Sequence, residues 1–238
     1  MIDLHQNGAR WTVTLDRADK ANALNVAMLT RLDEIFASAQ QDRDLRLLVV
    51  TGAGNRVFCA GADLTQTKGD APITTHPIWE SVSARLANLP CLTIAALNGT
   101  LAGGGFGLAL ACDLRVAVPN ASFFYPVLAN GFLPQPSDVK RLIALIGPSK
   151  TKLILLAGQK LGANEALKIG LIDRIAEPDE LPQMIDDLSR AAMNSGDAVL
   201  TSIKRMTRSE FSQQMLQDCQ DAVYRVDLDA LVRLRQSS

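Results

Sequence analysis

Two short apolar runs constrain the fold of this chain more than any other feature of its sequence. Leu45–Thr51 and Leu92–Leu97 are apolar or β-branched almost throughout, and each closes on glycine, at Gly52 and at Asn98-Gly99. A strand with one wet face alternates apolar and polar residues. A nearly continuous apolar run of this length fits a strand covered on both faces, as in a parallel sheet. Parallel neighbours need a crossover, usually a helix. The sequence supplies one, because Val26–Gln40 carries Met28, Leu29, Leu32, Ile35 and Phe36 at helical spacing. Upstream, Ile2–Gln6 and Trp11–Leu15 alternate around Asn7-Gly8, a hairpin signal. Strand, helix and strand in this order predict a right-handed crossover unit.

The alternation continues. Ile78–Leu89 and Phe106–Cys112 read as helices, and Leu114–Val118 and Phe123–Tyr125 as strands. Asp138–Ile146, Ser149–Ala157, Asn164–Ile169, Leu181–Asn194 and Glu210–Leu234 read as helices, with Leu171–Ala176 as a last short strand. Asp16–Asn25 and Gly52–Gly61 read as loops, and residues 65–77, with Gly69, Pro72 and Pro77, as a surface loop. The reading is an α/β fold of stacked βαβ units with a C-terminal helical layer, in one domain.

Composition removes several functions. The 238 residues carry 24 Lys and Arg against 25 Asp and Glu, so no overall field draws the chain to nucleic acid or to an anionic membrane. No apolar run reaches the ~18 residues of a membrane span, and the N-terminus MIDLHQNGARW lacks the pattern of a secretion signal. Cys59, Cys91, Cys112 and Cys219 form no C-x-x-C pair, and the histidines are His5 and His76. We therefore expect no metal site, no permanently bound cofactor, and reduced, mostly buried cysteines in a cytoplasmic protein.

Two segments carry chemistry. Phe58-Cys59-Ala60-Gly61-Ala62-Asp63-Leu64 is a turn of small residues after a buried strand. Asn98-Gly99-Thr100-Leu101-Ala102-Gly103-Gly104-Gly105-Phe106-Gly107 runs from a strand through glycines into a helix. Small side chains let a ligand approach the backbone, and a helix start leaves N–H groups unpaired. One N–H from each segment could hold a single carbonyl oxygen, forming an oxyanion hole. The glycine run reads equally well as close helix–strand packing. G-x-G-x-x-G and the phosphate-loop pattern are absent, which removes a dinucleotide-dependent oxidoreductase.

Taken together, A-G-A-D-L at Ala60–Leu64, N-G-x-x-x-G-G-G at Asn98–Gly105 and Ala111-Cys112-Asp113-Leu114-Arg115 resemble the enoyl-CoA hydratase/isomerase (crotonase) superfamily. Leu15-Asp16-Arg17, Asn22-Ala23-Leu24, Glu165-Ala166, Gly170-Leu171-Ile172 and Ala198–Lys204 agree, so the resemblance covers roughly residues 2–210. It implies a crotonase-like spiral of stacked ββα/βαβ units in a single domain, 1–238. The spiral core would span 1–195 and a C-terminal helical trimerisation region 196–238, giving a homotrimer or a dimer of trimers. It implies a lyase or isomerase of fatty acid metabolism acting on an acyl-CoA thioester, with coenzyme A present as part of the substrate. The amides of Ala62 and Gly104 would polarise the thioester carbonyl. Coenzyme A would lie along Lys20, Ala21 and Ala23 and along Ala60, Ala62, Asp63 and Leu64, and the acyl group near Gly104, Tyr125 and Val127.

The chain departs from that family where proton transfer is expected. Hydratases of the family use two glutamates, and the matching positions are Gly107 and Val127. Each missing acid or base forfeits roughly 10²- to 10⁴-fold in rate, so the resemblance stops short of a standard hydratase. Gln135 matches a third position, used by some relatives, and can orient a water or a carbonyl. Asp138 reads either as the N-cap of the helix that follows it or as a replacement acid/base. Tyr125 reads as a hydrogen-bond donor to the acyl group or as a half-buried strand residue. His76 reads as a surface residue or a base carried on a lid. Asp63 and Asp113 read as structural. Arg225, Arg233 and Arg235 read as a solvated helix face or as phosphate contacts. The alternative to an enzyme is a catalytically silent subunit that binds acyl-CoA or completes a hetero-oligomer.

Overall fold

The computed structural model describes residues 1–66 and 73–207. β1 (Ile2–Asn7) and β2 (Arg10–Leu15) form the antiparallel hairpin, with Gln6 opposite Trp11. α1 (Val26–Gln41) follows, and its start is capped by Asn25, whose side chain accepts the Met28 N–H at 2.8 Å. β3 (Leu47–Gly52) then returns parallel to β2, pairing Val13 with Val50, so the predicted crossover unit is present.

From β3 onward one unit repeats: a long strand, a three-residue strand, then a helix. β3 is followed by β4 (Val57–Cys59) and α2 (Ile78–Ala87). β5 (Leu92–Leu97) is followed by β6 (Thr100–Ala102) and α3 (Phe106–Ala111). β7 (Leu114–Ala117) is followed by β8 (Ser122–Phe124) and α4 (Pro136–Leu155). The first strands of the units join a six-stranded sheet ordered β1-β2-β3-β5-β7-β10, and the short ones a four-stranded sheet ordered β4-β6-β8-β9. Each turn of the chain stacks parallel on the last, with Val49 beside Ile94 and Ala96 beside Val116. A unit of this kind cannot bury its own apolar face, and stacking buries it against the next. Val50, Ile94 and Val116 are all fully buried in a core continuous with Leu29, Leu32 and Phe36 of α1.

The chain closes with β9 (Leu161–Gly162), α5 (Ala163–Lys168), β10 (Arg174–Ile175), α6 (Leu181–Met193) and α7 (Asp197–Met206). Lys204 secures α7: its buried ammonium lies 2.6 Å from Asp113 Oδ2 and donates to the Cys91 carbonyl. Asp113 also accepts the Thr93 N–H and hydroxyl, so its role here is structural.

Two expectations change. The strand over Leu171–Ala176 shrinks to the pair Arg174–Ile175, because Leu171 and Ile172 turn back to the Ala166 carbonyl. The helices expected over Asp138–Ile146 and Ser149–Ala157 form one element, bent at Gly147 where φ is 73° and ψ 167°. It begins two residues earlier than expected, at Pro136. The helix expected over Glu210–Leu234 lies outside the described residues, as do Arg225, Arg233 and Arg235.

Candidate active site

The two small-residue segments meet face to face. β4 delivers the chain to Ala60–Leu64, and β6 delivers it to Gly103–Gly105, a single 3-10 turn that opens α3. Because Gly61 adopts φ 99°, the turn folds flat against its neighbour, where a Cβ on Gly61 would lie 2.8 Å from the Gly104 nitrogen. Gly104 needs its bare Cα for another reason: a Cβ there would stand 2.9 Å from the Trp79 ring. Trp79 is held by its indole N–H, which donates to the Ile73 carbonyl at 2.7 Å. Gly104 sits in the first turn of its helix, ahead of any intrahelical acceptor. Among the described residues, neither the Ala62 N–H nor the Gly104 N–H donates to a protein acceptor.

Both residues line a cleft of about 370 Å³. Lys20, Ala23, Ala60, Asp63 and Leu64 line it together with Tyr125, Val127 and Gln135. Trp79, Phe132 and Leu133, which sequence reasoning did not single out, complete an apolar wall. Ala21 is not in the lining, but its carbonyl accepts the Ala60 N–H at 3.0 Å and so joins the two binding segments.

The loop before α1 is rigidly built. Ala21 and Asn22 both take left-handed backbone, at φ 51° and 54°. Buried Asn22 holds that shape: its side chain accepts the Arg17 N–H and donates to the Ala53 and Val57 carbonyls. Arg17 reaches across to Asp63 Oδ2 at 2.6 Å and to the Ala23 carbonyl. Asp63 also accepts the Thr65 hydroxyl and N–H, and those bonds with the Arg17 charge hold its carboxyl down at about 2. Asp63 therefore fixes the loop, as expected.

Asp138 is not the helix cap. The N-cap is Gln135 and Pro136 occupies the first turn, so Asp138 lies inside α4 with its side chain turned into the protein. It is completely buried, accepts the Tyr125 hydroxyl at 2.8 Å through Oδ2, and leaves Oδ1 without a partner among the described residues. That oxygen sits 3.3 Å from where a Cβ on Gly107 would be. Burial pushes the Asp138 carboxyl up to about 7, against the lowering influence of the Tyr125 hydroxyl and Arg141. The Tyr125 ring stacks on Phe106 at 5.1 Å between centroids, and burial with the adjacent carboxyl raises its phenol, so it stays protonated at neutral pH. Tyr125 is thus more deeply buried than a half-wet strand residue.

Gln135 Nε2 faces the Thr74 carbonyl at 3.4 Å. His76 is outside the cleft lining, and its Nδ1 accepts the Ile78 N–H at the start of α2. Cys59, Cys91 and Cys112 are buried, and burial lifts the Cys59 thiol to about 12, so it packs as an apolar group under Gly105. Among the described residues no cluster of three or more His, Cys, Asp or Glu side chains is placed to hold a metal ion. No helix among them is long and apolar enough to cross a membrane.

A spiral of ββα turns with two glycine-rich segments abutting over an apolar cleft defines an α/β protein of the crotonase fold. The enoyl-CoA hydratase/isomerase family profile matches residues 6–227, and the chain belongs to that family. It is similar to the carnitinyl-CoA dehydratase of Escherichia coli K12, 34% identical over 210 residues, which cover 87% of this chain and 80% of the relative. The crystal structure of an enoyl-CoA hydratase from Bacillus anthracis superposes with a TM-score of 0.90 at 25% identity, covering 99% of this chain and 96% of the other. An enoyl-CoA hydratase/carnithine racemase structure from Magnetospirillum magneticum gives the same score and identity, covering 99% and 92%.

Proposed function

We propose that the chain binds an acyl-CoA thioester, holds its carbonyl oxygen between the Ala62 and Gly104 N–H groups, and stabilises the enolate that forms when the α-carbon loses a proton. The observation that carries this reading is the pair of unpartnered backbone donors, one from each abutting segment, opening onto one apolar cleft. Fixed dipoles of this kind act most strongly in a water-poor site, where charge develops on the oxygen. The loop around Lys20 and Ala23 contributes to the same lining and suits the coenzyme portion. Trp79, Val127 and Phe132 suit an apolar acyl group.

Gly107 and Val127 supply no proton-transfer group, so addition of water across an enoyl double bond is not the reaction this cleft favours. Proton movement next to the carbonyl, as in double-bond migration, is the chemistry that remains.

The test compares butyryl-CoA with its thioether analogue butyl-CoA, which lacks the carbonyl oxygen. Calorimetry should give about tenfold tighter binding of the thioester, the worth of two modest hydrogen bonds. Equal affinities, or no binding of either compound, would overturn the reading.

A further inference from the structure

The cleft contains donors for an oxyanion but shows no obvious group to move a proton. Among its described lining residues the ionisable side chains are Lys20, Asp63 and Tyr125. Asp63 is committed to Arg17 and Thr65, and Lys20 lies on the exposed loop. Of the three, Tyr125 is the one backed by a group that can take up a proton. Its hydroxyl donates to Asp138 Oδ2, and Asp138 Oδ1 is a buried acceptor with no partner among the described residues. A carboxyl so placed costs stability, because its desolvation is not repaid by a full set of partners.

We propose that Tyr125 and Asp138 form a proton relay that serves the acyl α-carbon, and this rests on the acyl-CoA reading above. The step balances. With Asp138 ionised, the α C–H bond breaks and its proton passes to the Tyr125 oxygen, while the phenol's own proton passes to Asp138. The C–H electron pair forms the enolate double bond, and the carbonyl π pair moves onto the oxygen between the Ala62 and Gly104 amides. Reversal at the α-carbon returns the starting thioester. Reversal at the γ-carbon of a 3-enoyl thioester shifts its double bond. Tyr125 is protonated before and after, as its raised phenol requires.

The groups facing Asp138 are Tyr125 from the segment after β8, Arg141 one turn along α4, and Glu80 from α2. α3, Phe106–Ala111, presents no ionisable side chain. Burial dominates these influences and places the carboxyl near neutrality, where it can both accept and return a proton.

The test incubates a 3-enoyl-CoA with the protein in D₂O and follows deuterium uptake by mass spectrometry, beside binding of the same thioester by calorimetry. Tyr125→Phe and Asp138→Asn should each bind the thioester while losing about 100-fold in exchange rate. In the wild-type chain, exchange should rise with pH up to about 7 and level above it. That profile needs no variant, so it decides the matter if a substitution unfolds the chain. Variants that exchange at the wild-type rate, a flat profile, or a wild-type chain that binds but does not exchange would overturn the relay and leave the oxyanion reading standing. Failure to bind the thioester would remove both.

Discussion

Gly104 carries two demands at once, a place in the cleft lining and a Cα pressed against Trp79. Gly104→Ala keeps the N–H but places a methyl group 2.9 Å from the indole. We expect a loss of about 1–3 kcal/mol by denaturant unfolding, together with weaker thioester binding as Trp79 is pushed off the Ile73 carbonyl. A stability unchanged from wild type would refute the packing argument. At this scale the sequence was legible for backbone sites: small residues at Gly61, Ala62 and Gly104 signal close approach, and the structure brings them together. It was less legible for Asp138. An aspartate ahead of an apolar helical stripe looks like a cap, and only Pro136, which favours the first helical position, hints that the helix starts earlier and turns Asp138 inward. Tyr125 and Asp138 are thirteen residues apart, and no local periodicity links them. Trp79 was missed as a cleft residue because Gly104, against which its ring packs, lies in a distant segment.

The long strands β3 and β5 and helix α1 were readable because each is long enough for its period or its apolar run to show. β4 lies within a segment read as loop, and β6 and β9 were not read as separate strands, since two or three residues carry no measurable alternation. Their pairing is decided by neighbouring turns of the spiral, which is tertiary information. The bend in α4 belongs to the same scale. Gly147 takes a backbone conformation that is essentially restricted to glycine, so Gly147→Ala should cost about 1–3 kcal/mol and lower the melting temperature. Among the described residues nothing stands within 4 Å of a Cβ there, so the loss would be conformational and not steric. An unchanged melting temperature would show that the bend relaxes freely. Asn25→Ala should cost about 1 kcal/mol by removing the cap of α1, seen as a lower denaturant midpoint with the same slope.

For the whole molecule, two carboxyls give opposite pH dependences. Asp63, held at about 2 against an ordinary 3.8, contributes stability that is present above pH 4 and lost as pH falls through 2. Asp138, raised from 3.8 to about 7, does the reverse: the folded chain keeps a proton that the unfolded chain has released, so stability falls as pH rises from about 4 to about 7. Thermal melts from pH 4 to 8 should therefore show a decline on the neutral side that Asp138→Asn abolishes. A decline that persists in the variant would assign it to other groups. The apolar wall makes a further prediction for the assembled cleft. Hexanoyl-CoA should bind at least about tenfold more tightly than acetyl-CoA, given the gain from burying extra methylenes. Equal affinities would mean that the acyl chain lies outside Trp79 and Phe132.

The contact between Gly107 and Asp138 bears on how easily this chain could exchange chemistries with a relative that carries a glutamate at position 107. The two positions share one seat, since any side chain grown from residue 107 starts 3.3 Å from an oxygen of Asp138. Gly107→Glu alone would put two carboxyls into a dry volume that holds one, each opposing ionisation of the other. A viable mutational path would vacate position 138 before filling position 107, so the order of the two substitutions would matter more than either one.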